Sequence, residues 1–150
     1  MFIKELPVKE MKKYMSIFSN HGNEVPYVSG SLPVELDVNL YAYLEEEGLL
    51  SIIVAFTDDG DLAGYMVLIA TQLTHHKGKW AAVTDAFYVV PEYRGSGVFK
   101  LLVSYAEDLC RRNHIATLFL TVNSNFKDAA KAVESVEGYT ESCVMYAKEF

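Results

Sequence analysis

Cysteine is scarce in this chain. Only Cys110 and Cys143 occur among 150 residues, which excludes a disulfide framework, and neither stands at metal-ligand spacing from a partner. His75 and His76 are neighbours, so on an extended chain they point to opposite faces and cannot address one site together. No third His, Cys or carboxylate lies at a suitable spacing, and no metal is expected. No apolar run approaches the ~20 residues needed to cross a bilayer. The start, MFIKELPVKEMKK, has neither an apolar signal core nor a small-residue cleavage site. Positive charge is in deficit: 13 Lys and Arg face 20 Asp and Glu, a formal net charge of −7. That balance argues against general nucleic-acid binding; it suits a cationic partner or simply solubility. Internal repeats, low-complexity tracts and interior linkers are absent. The expectation is one soluble cytoplasmic domain over residues 1–150 with reduced thiols, long enough to bury about two-thirds of its unfolded surface.

What is present is a dense alternation of strand and helix patterns. Phe2 to Glu5 reads as a strand. Pro7 suits a first helical turn, and Val8, Met11, Met15 and Phe18 carry that helix to about Ser19. Ser19 to Ser31 reads as loop. Pro33 opens a second helix, with Leu36, Leu40, Tyr43 and Leu44 inward and Glu45-Glu46-Glu47-Gly48 at its end. Those carboxylates oppose the helix dipole and read either as a solvated end or as an acidic rim for a basic substrate. Leu49 to Phe56 and Leu62 to Ala70 form a hairpin around Asp58-Asp59-Gly60-Asp61. The connection from Thr71 to Lys79 is polar, and Lys79 to Val90 is the fourth strand. A third helix starts at Val98 and presents Val98, Leu101, Leu102, Tyr105, Ala106 and Leu109 on one stripe. Ile115 to Val122 is a buried strand. Asn125 caps a fourth helix that ends at Gly138, and Tyr139 to Lys148 alternates loosely as a last strand.

The expected order is therefore β-α-α-β-β-β-α-β-α-β. It describes an α/β (α+β) mixed sheet, mostly antiparallel, with one central parallel pair made by a right-handed crossover.

The informative stretch is TDAFYVVPEYRGSGVFKLL, from Thr84 to Leu102. A strand runs through a turn with glycines at 95 and 97 directly into a helix. The first amides of a helix have no internal acceptor, and its dipole favours an anion there. Glycines leave room for that anion to approach. Two familiar phosphate loops are excluded. Gly97 is followed by Val98 rather than by Lys and Ser or Thr, and Lys100 stands where a dinucleotide-binding fingerprint needs its third glycine.

A third pattern fits. Val89-Val90-Pro91-Glu92-Tyr93-Arg94-Gly95-Ser96-Gly97 resembles the acetyl-coenzyme A loop of the GNAT N-acetyltransferases, Val-x-Pro-x-x-Arg/Gln-Gly-x-Gly-x-Gly/Ala. Phe99 departs from it, standing where the family has a small residue. Gly64 resembles a glycine of the family's corresponding hairpin, and the expected order of elements is the family's own.

The resemblance implies an acetyl-coenzyme A-dependent acyltransferase that needs no metal. The pyrophosphate would lie on the amides of Arg94, Gly95, Ser96, Gly97, Val98 and Phe99, with Lys100 nearby. The pantetheine arm would pair with main chain near Phe87, Tyr88 and Val89, which requires the fourth and fifth strands to part. Asn123 and Asn125 would donate to the same arm, or serve as turn and cap. An alkylammonium has a pKa near 10.4 and must lose a proton before it attacks. Asp85 is the acidic residue inside the fourth strand, at a position where many family members carry Glu or Asp. A carboxylate in a buried strand is expected to be paired or functional. Glu92 is close by, in a turn expected to face solvent. The family's tyrosine acid falls on Glu134, leaving Tyr139, Tyr146 and Ser135 as substitutes by type, with Tyr139 foremost.

The expected partner is an amine substrate, small or on a protein, with a homodimer an open option and neither nucleic acid nor membrane involved. Two other readings stay open at this stage: a non-catalytic binding module of the same fold, and a small acidic interaction or inhibitor protein.

Overall fold

Five strands pair in sequence order, β1 to β5, in a computed structural model that describes residues 1–25 and 35–150. They are β1 (Phe2–Glu5), β2 (Leu50–Phe56), β3 (Leu62–Gln72), β4 (Trp80–Val89) and β5 (Thr117–Phe119). The first four are antiparallel neighbours and β4 pairs β5 in parallel. The helices are α1 (Met15–Glu24), α2 (Val38–Glu46), α3 (Val98–Arg112) and α4 (Lys127–Glu134). This is the expected mixed α/β sheet with one parallel pair. The chain forms two compact units: Met1–Met15 with Asp37–Thr121, and Ser16–Leu36 with Val122–Phe150. The first holds the whole sheet, α2 and α3.

Its core follows from the strand patterns. Ile52, Ile53, Val54 and Ala55 on β2 and Tyr65, Met66 and Val67 on β3 are all buried, because both faces of these central strands are covered. The β2–β3 turn closes where Gly60 takes φ 93° and Thr57 bonds Asp61 through main chain at 2.8 Å. On β3 alternate residues take opposite faces. Gly64 faces α3, and a Cβ there would lie 2.8 Å from the Tyr88 carbonyl oxygen and 3.1 Å from Val98 Cγ1. Glycine at 64 therefore lets the start of α3 rest directly on the β3–β4 pair.

Several expectations are corrected. The segment after Pro7 begins as a 3-10 helix, Val8–Tyr14, and α1 then runs through Ser19 to Glu24, where a loop was expected. Helix α2 starts at Val38 because the Asp37 carboxylate accepts from the Leu40 amide at 2.9 Å. The expected opening at Pro33 lies outside the described residues. Tyr41 is the buried face of α2, whereas Leu40 and Tyr43 are exposed. Glu45 accepts from the Val8 amide at 2.9 Å, so this carboxylate at the helix end caps the 3-10 helix rather than standing free. On α3 the buried stripe is Val98, Leu102, Val103, Ala106 and Cys110, and Leu101 is exposed. Its outer face is tied by Arg111 to Asp108 at 2.6 Å and to Glu107 at 3.0 Å.

Strand β5 is shorter than expected. Its ladder with β4 ends at the pair Val83↔Phe119. One step further the Thr84 side chain takes over: Thr121 donates its amide to Thr84 Oγ1 and its hydroxyl to the Thr84 carbonyl, both at 2.7 Å.

In the second unit, α4 begins at Lys127 with no side-chain cap, so Asn125 does not cap it. The expected last strand, Tyr139 to Lys148, is not formed. No ladder among the described residues includes it, and Val144, Met145 and Tyr146 are exposed. Loose alternation makes a strand only where an edge is there to pair with it. Among the described residues, no helix is long and apolar enough to cross a membrane, and no group of three His, Cys, Asp or Glu is placed to hold a metal ion.

Candidate active site

The β4–α3 junction forms as the sequence predicts. Pro91–Tyr93 makes a single 3-10 turn, Gly95 and Gly97 take φ 80° and 90°, and α3 starts at Val98. Both glycines need that left-handed backbone, and a Cβ at either would meet nothing within 4 Å. The turn is stitched internally by Ser96, whose hydroxyl donates to the Tyr93 carbonyl at 2.6 Å. The first helical bond of α3 runs from the Leu101 amide to the Gly97 carbonyl at 3.1 Å. Upstream of it, the amides of Gly95, Gly97, Val98, Phe99 and Lys100 donate to no acceptor among the described residues. Lys100 is exposed beside them. Open space over the glycines, free amides and a helix N-terminus together fit an anionic diphosphate.

Strand β4 supplies a second row of donors. The Val90 amide bonds the Ala63 carbonyl at 3.0 Å, toward β3. Main-chain groups alternate in direction along a strand, so those of Tyr88 face β3 and those of Phe87 and Val89 face away from it. On that side the β5 ladder has already ended at Val83. The strands part as expected, leaving the Phe87 N–H and C=O and the Val89 N–H without a strand partner among the described residues. The Val89 carbonyl is taken by Arg94, whose Nε donates to it at 2.9 Å. The Arg94 guanidinium lies 5.4 Å from the centre of the Tyr88 ring. Arg94 thus fastens the loop back onto β4, while the Tyr88 main chain belongs to the β3 ladder.

Phe99 is half-buried, its ring centroid 5.0 Å from that of Phe87. It packs on the strand and leaves the amides of the first turn uncovered. Glu92 is exposed, as expected of its turn.

Asp85 is on β4 but is not buried, contrary to expectation. The β3–β4 register passes from Val67↔Ala86 to Leu68↔Thr84, so Asp85 is the extra residue of a β-bulge. The bulge carries its side chain to an exposed position. There Asp85 Oδ2 accepts the phenol O–H of Tyr41. Burial, then the bond to Asp85, push the Tyr41 phenol well above its ordinary pKa. Tyr65 on β3 is pushed up as well, by burial, then by Tyr88 and Asp85. Sequence reasoning missed Tyr41. Its signal was present in the Leu-Tyr-Ala-Tyr run of α2, but helical spacing alone does not say which tyrosine turns inward.

The remaining candidates lie in the second unit. Asn123 Oδ1 accepts from the Asn125 amide at 3.0 Å, which makes a local turn. Tyr139 is half-buried, Tyr146 is exposed, and Ser135 donates to the Ala132 carbonyl at 2.7 Å.

Comparison with known proteins is consistent with this geometry. The family model described as Acetyltransferase (GNAT) family matches residues 16–139. No curated protein matches the chain. Among solved structures, the chain is similar to an aminoglycoside acetyltransferase from an uncultured soil metagenomic sample, crystallised with trehalose and with sisomicin. The identity is 14%, the alignment covers 99% of this chain and 95% of that one, and the TM-score is 0.78. A ribosomal-protein-alanine N-acetyltransferase from Brucella melitensis biovar Abortus is 17% identical over 97% of this chain and all of its own, with TM-score 0.69. An acetyltransferase from Trypanosoma brucei is 14% identical over 99% of both chains, with TM-score 0.71. At such identities these likenesses speak to the fold.

Proposed function

Because the chain belongs to the GNAT acetyltransferase family, we propose that it moves an acetyl group from acetyl-coenzyme A to a primary amine by direct attack. One observation carries this reading: a run of N–H donors with no acceptor among the described residues extends from Phe87 and Val89 on β4 through Gly95 and Gly97 to Val98, Phe99 and Lys100 on α3. An extended arm pairs with the strand donors and a diphosphate sits on the helix donors.

When bound, acetyl-coenzyme A supplies an activated thioester acyl group. The chain's residues do the rest. Gly95 and Gly97 keep the approach to the amides open, and Arg94 holds the loop against Val89. Asp85, exposed on its bulge, takes the proton from the attacking ammonium, directly or through one water. A nitrogen–carbon bond forms as the carbon–sulfur bond breaks, the new amide nitrogen sheds its second proton to solvent, and the departing sulfur takes a proton from solvent. The net charge of −7 favours a cationic acceptor. Cys110 and Cys143 are unpaired thiols, in keeping with a cytoplasmic setting.

The test is calorimetry with acetyl-coenzyme A, followed by release of free thiol in the presence of amines. Sisomicin, an alanine-bearing ribosomal peptide and spermidine sample the acceptor classes. Binding with amine-dependent thiol release is the expected result. A silent titration would remove the reading, and binding without turnover would reduce the protein to a binding module.

A further inference from the structure

The bulge leaves Asp85 with no cross-strand partner and an exposed side chain. Such a carboxylate samples several rotamers unless something holds it. Tyr41 reaches it from α2, 44 positions earlier in the chain, and donates its O–H to Oδ2. Asp85 Oδ1 has no hydrogen bond among the described residues. Tyr41 itself is only 7% exposed, so its ring is fixed by packing. The helix that carries it is fixed at both ends. Asp37 caps its start, Gly48 closes it with its amide on the Glu45 carbonyl at 2.9 Å, and Glu45 ties it to Val8. Tyr65 on β3 is the other titratable side chain that senses Asp85 from a neighbouring strand. Being 2% exposed, it offers the carboxylate no mobile charge.

We infer that Tyr41 is a positioning residue: it holds Asp85 through Oδ2 and thereby leaves Oδ1 aimed outward to receive the amine's proton. The inference rests on the base role proposed for Asp85.

It is tested by thiol release from acetyl-coenzyme A with sisomicin, the ribosomal peptide and spermidine. Four proteins are compared per folded molecule: the parent, Tyr41→Phe, Asp85→Asn and the double variant. Tyr41→Phe keeps the ring and its packing. It should lower kcat about 10-fold, the size expected for one hydrogen bond to a charged group, with the KM for acetyl-coenzyme A unchanged. In the Asp85→Asn background the same change should cost nothing further, because no carboxylate remains to be held. Parent-like kcat in Tyr41→Phe, or an equal fractional loss in both backgrounds, overturns the inference and leaves Asp85 as base. Parent-like turnover in Asp85→Asn, or no thiol release from the parent with any of the three amines, removes the base reading and this inference with it.

Discussion

Phe99, on the first turn of α3, packs its ring 5.0 Å from that of Phe87 on β4, the two planes tilted by 45°. Its side chain has found a seat on the strand rather than over the amides of the first turn.

Truncating Phe99 should therefore act on stability and not on affinity. A fully buried Phe→Ala change costs ~3–5 kcal/mol, and Phe99 is half-buried. Phe99→Ala should lower the unfolding free energy by about 2 kcal/mol in denaturant titrations. The calorimetric affinity for acetyl-coenzyme A should stay within about 2-fold, well under the tenfold that 1.4 kcal/mol represents. Markedly tighter binding in the variant would show that the ring obstructs the loop.

Gly97, like Gly95, takes left-handed backbone, with φ at 90° and open space where a side chain would project. Gly97→Val places a β-branched residue in left-handed backbone, at a cost of roughly 1–3 kcal/mol. Its methyls would occupy the place proposed for the diphosphate. Saturating acetyl-coenzyme A should raise the parent's melting temperature and leave that of Gly97→Val unmoved.

Asp85→Asn retains shape and polarity while removing the proposed proton acceptor. Turnover per folded molecule should fall by roughly 10²–10⁴, with cofactor affinity close to the parent's. The parent's rate should rise with pH as more of the amine loses its proton, toward its pKa near 10.4. Because Asp85 is exposed, the substitution should scarcely move the melting temperature, so activity and stability are cleanly separable.

Tyr41 and Tyr65 predict an alkaline limit to stability. Burial raises both phenols above the value of 10.0 they have in an unfolded chain. Their contribution is complete below about pH 10. It is lost as pH rises further, because the unfolded chain releases two protons that the folded one keeps. Two such groups give a fall of about 2.7 kcal/mol per pH unit above that point. Denaturant titrations between pH 9 and pH 11 should show the fall, and Tyr41→Phe should reduce its slope by about half. A flat profile would mean that the folded phenols ionise freely.

The sequence by itself determined the junction of β4 and α3 and the central strands. Pro91, Gly95 and Gly97 have few conformations open to them, so the strand, turn and helix from Thr84 to Arg112 follow from residue type. The long apolar runs of β2, β3 and β4 likewise leave little choice. Tertiary structure decided whatever depends on which neighbour arrives. The Leu-Tyr-Ala-Tyr run of α2 is apolar on more than one side, and packing against β2 and the 3-10 helix Val8–Tyr14 chose Tyr41 over Leu40 and Tyr43. The bulge at Asp85 arises from pairing with β3 and cannot be read from the spacing of β4. It is what turns an expected buried carboxylate into an exposed one. Strand β5 stops at Phe119 because Thr84 and Thr121 exchange side-chain bonds across 37 positions. The weak alternation of residues 139–148 forms no strand for the same reason: an extended segment acquires its hydrogen bonds only from another chain segment, and none of the described residues supplies them.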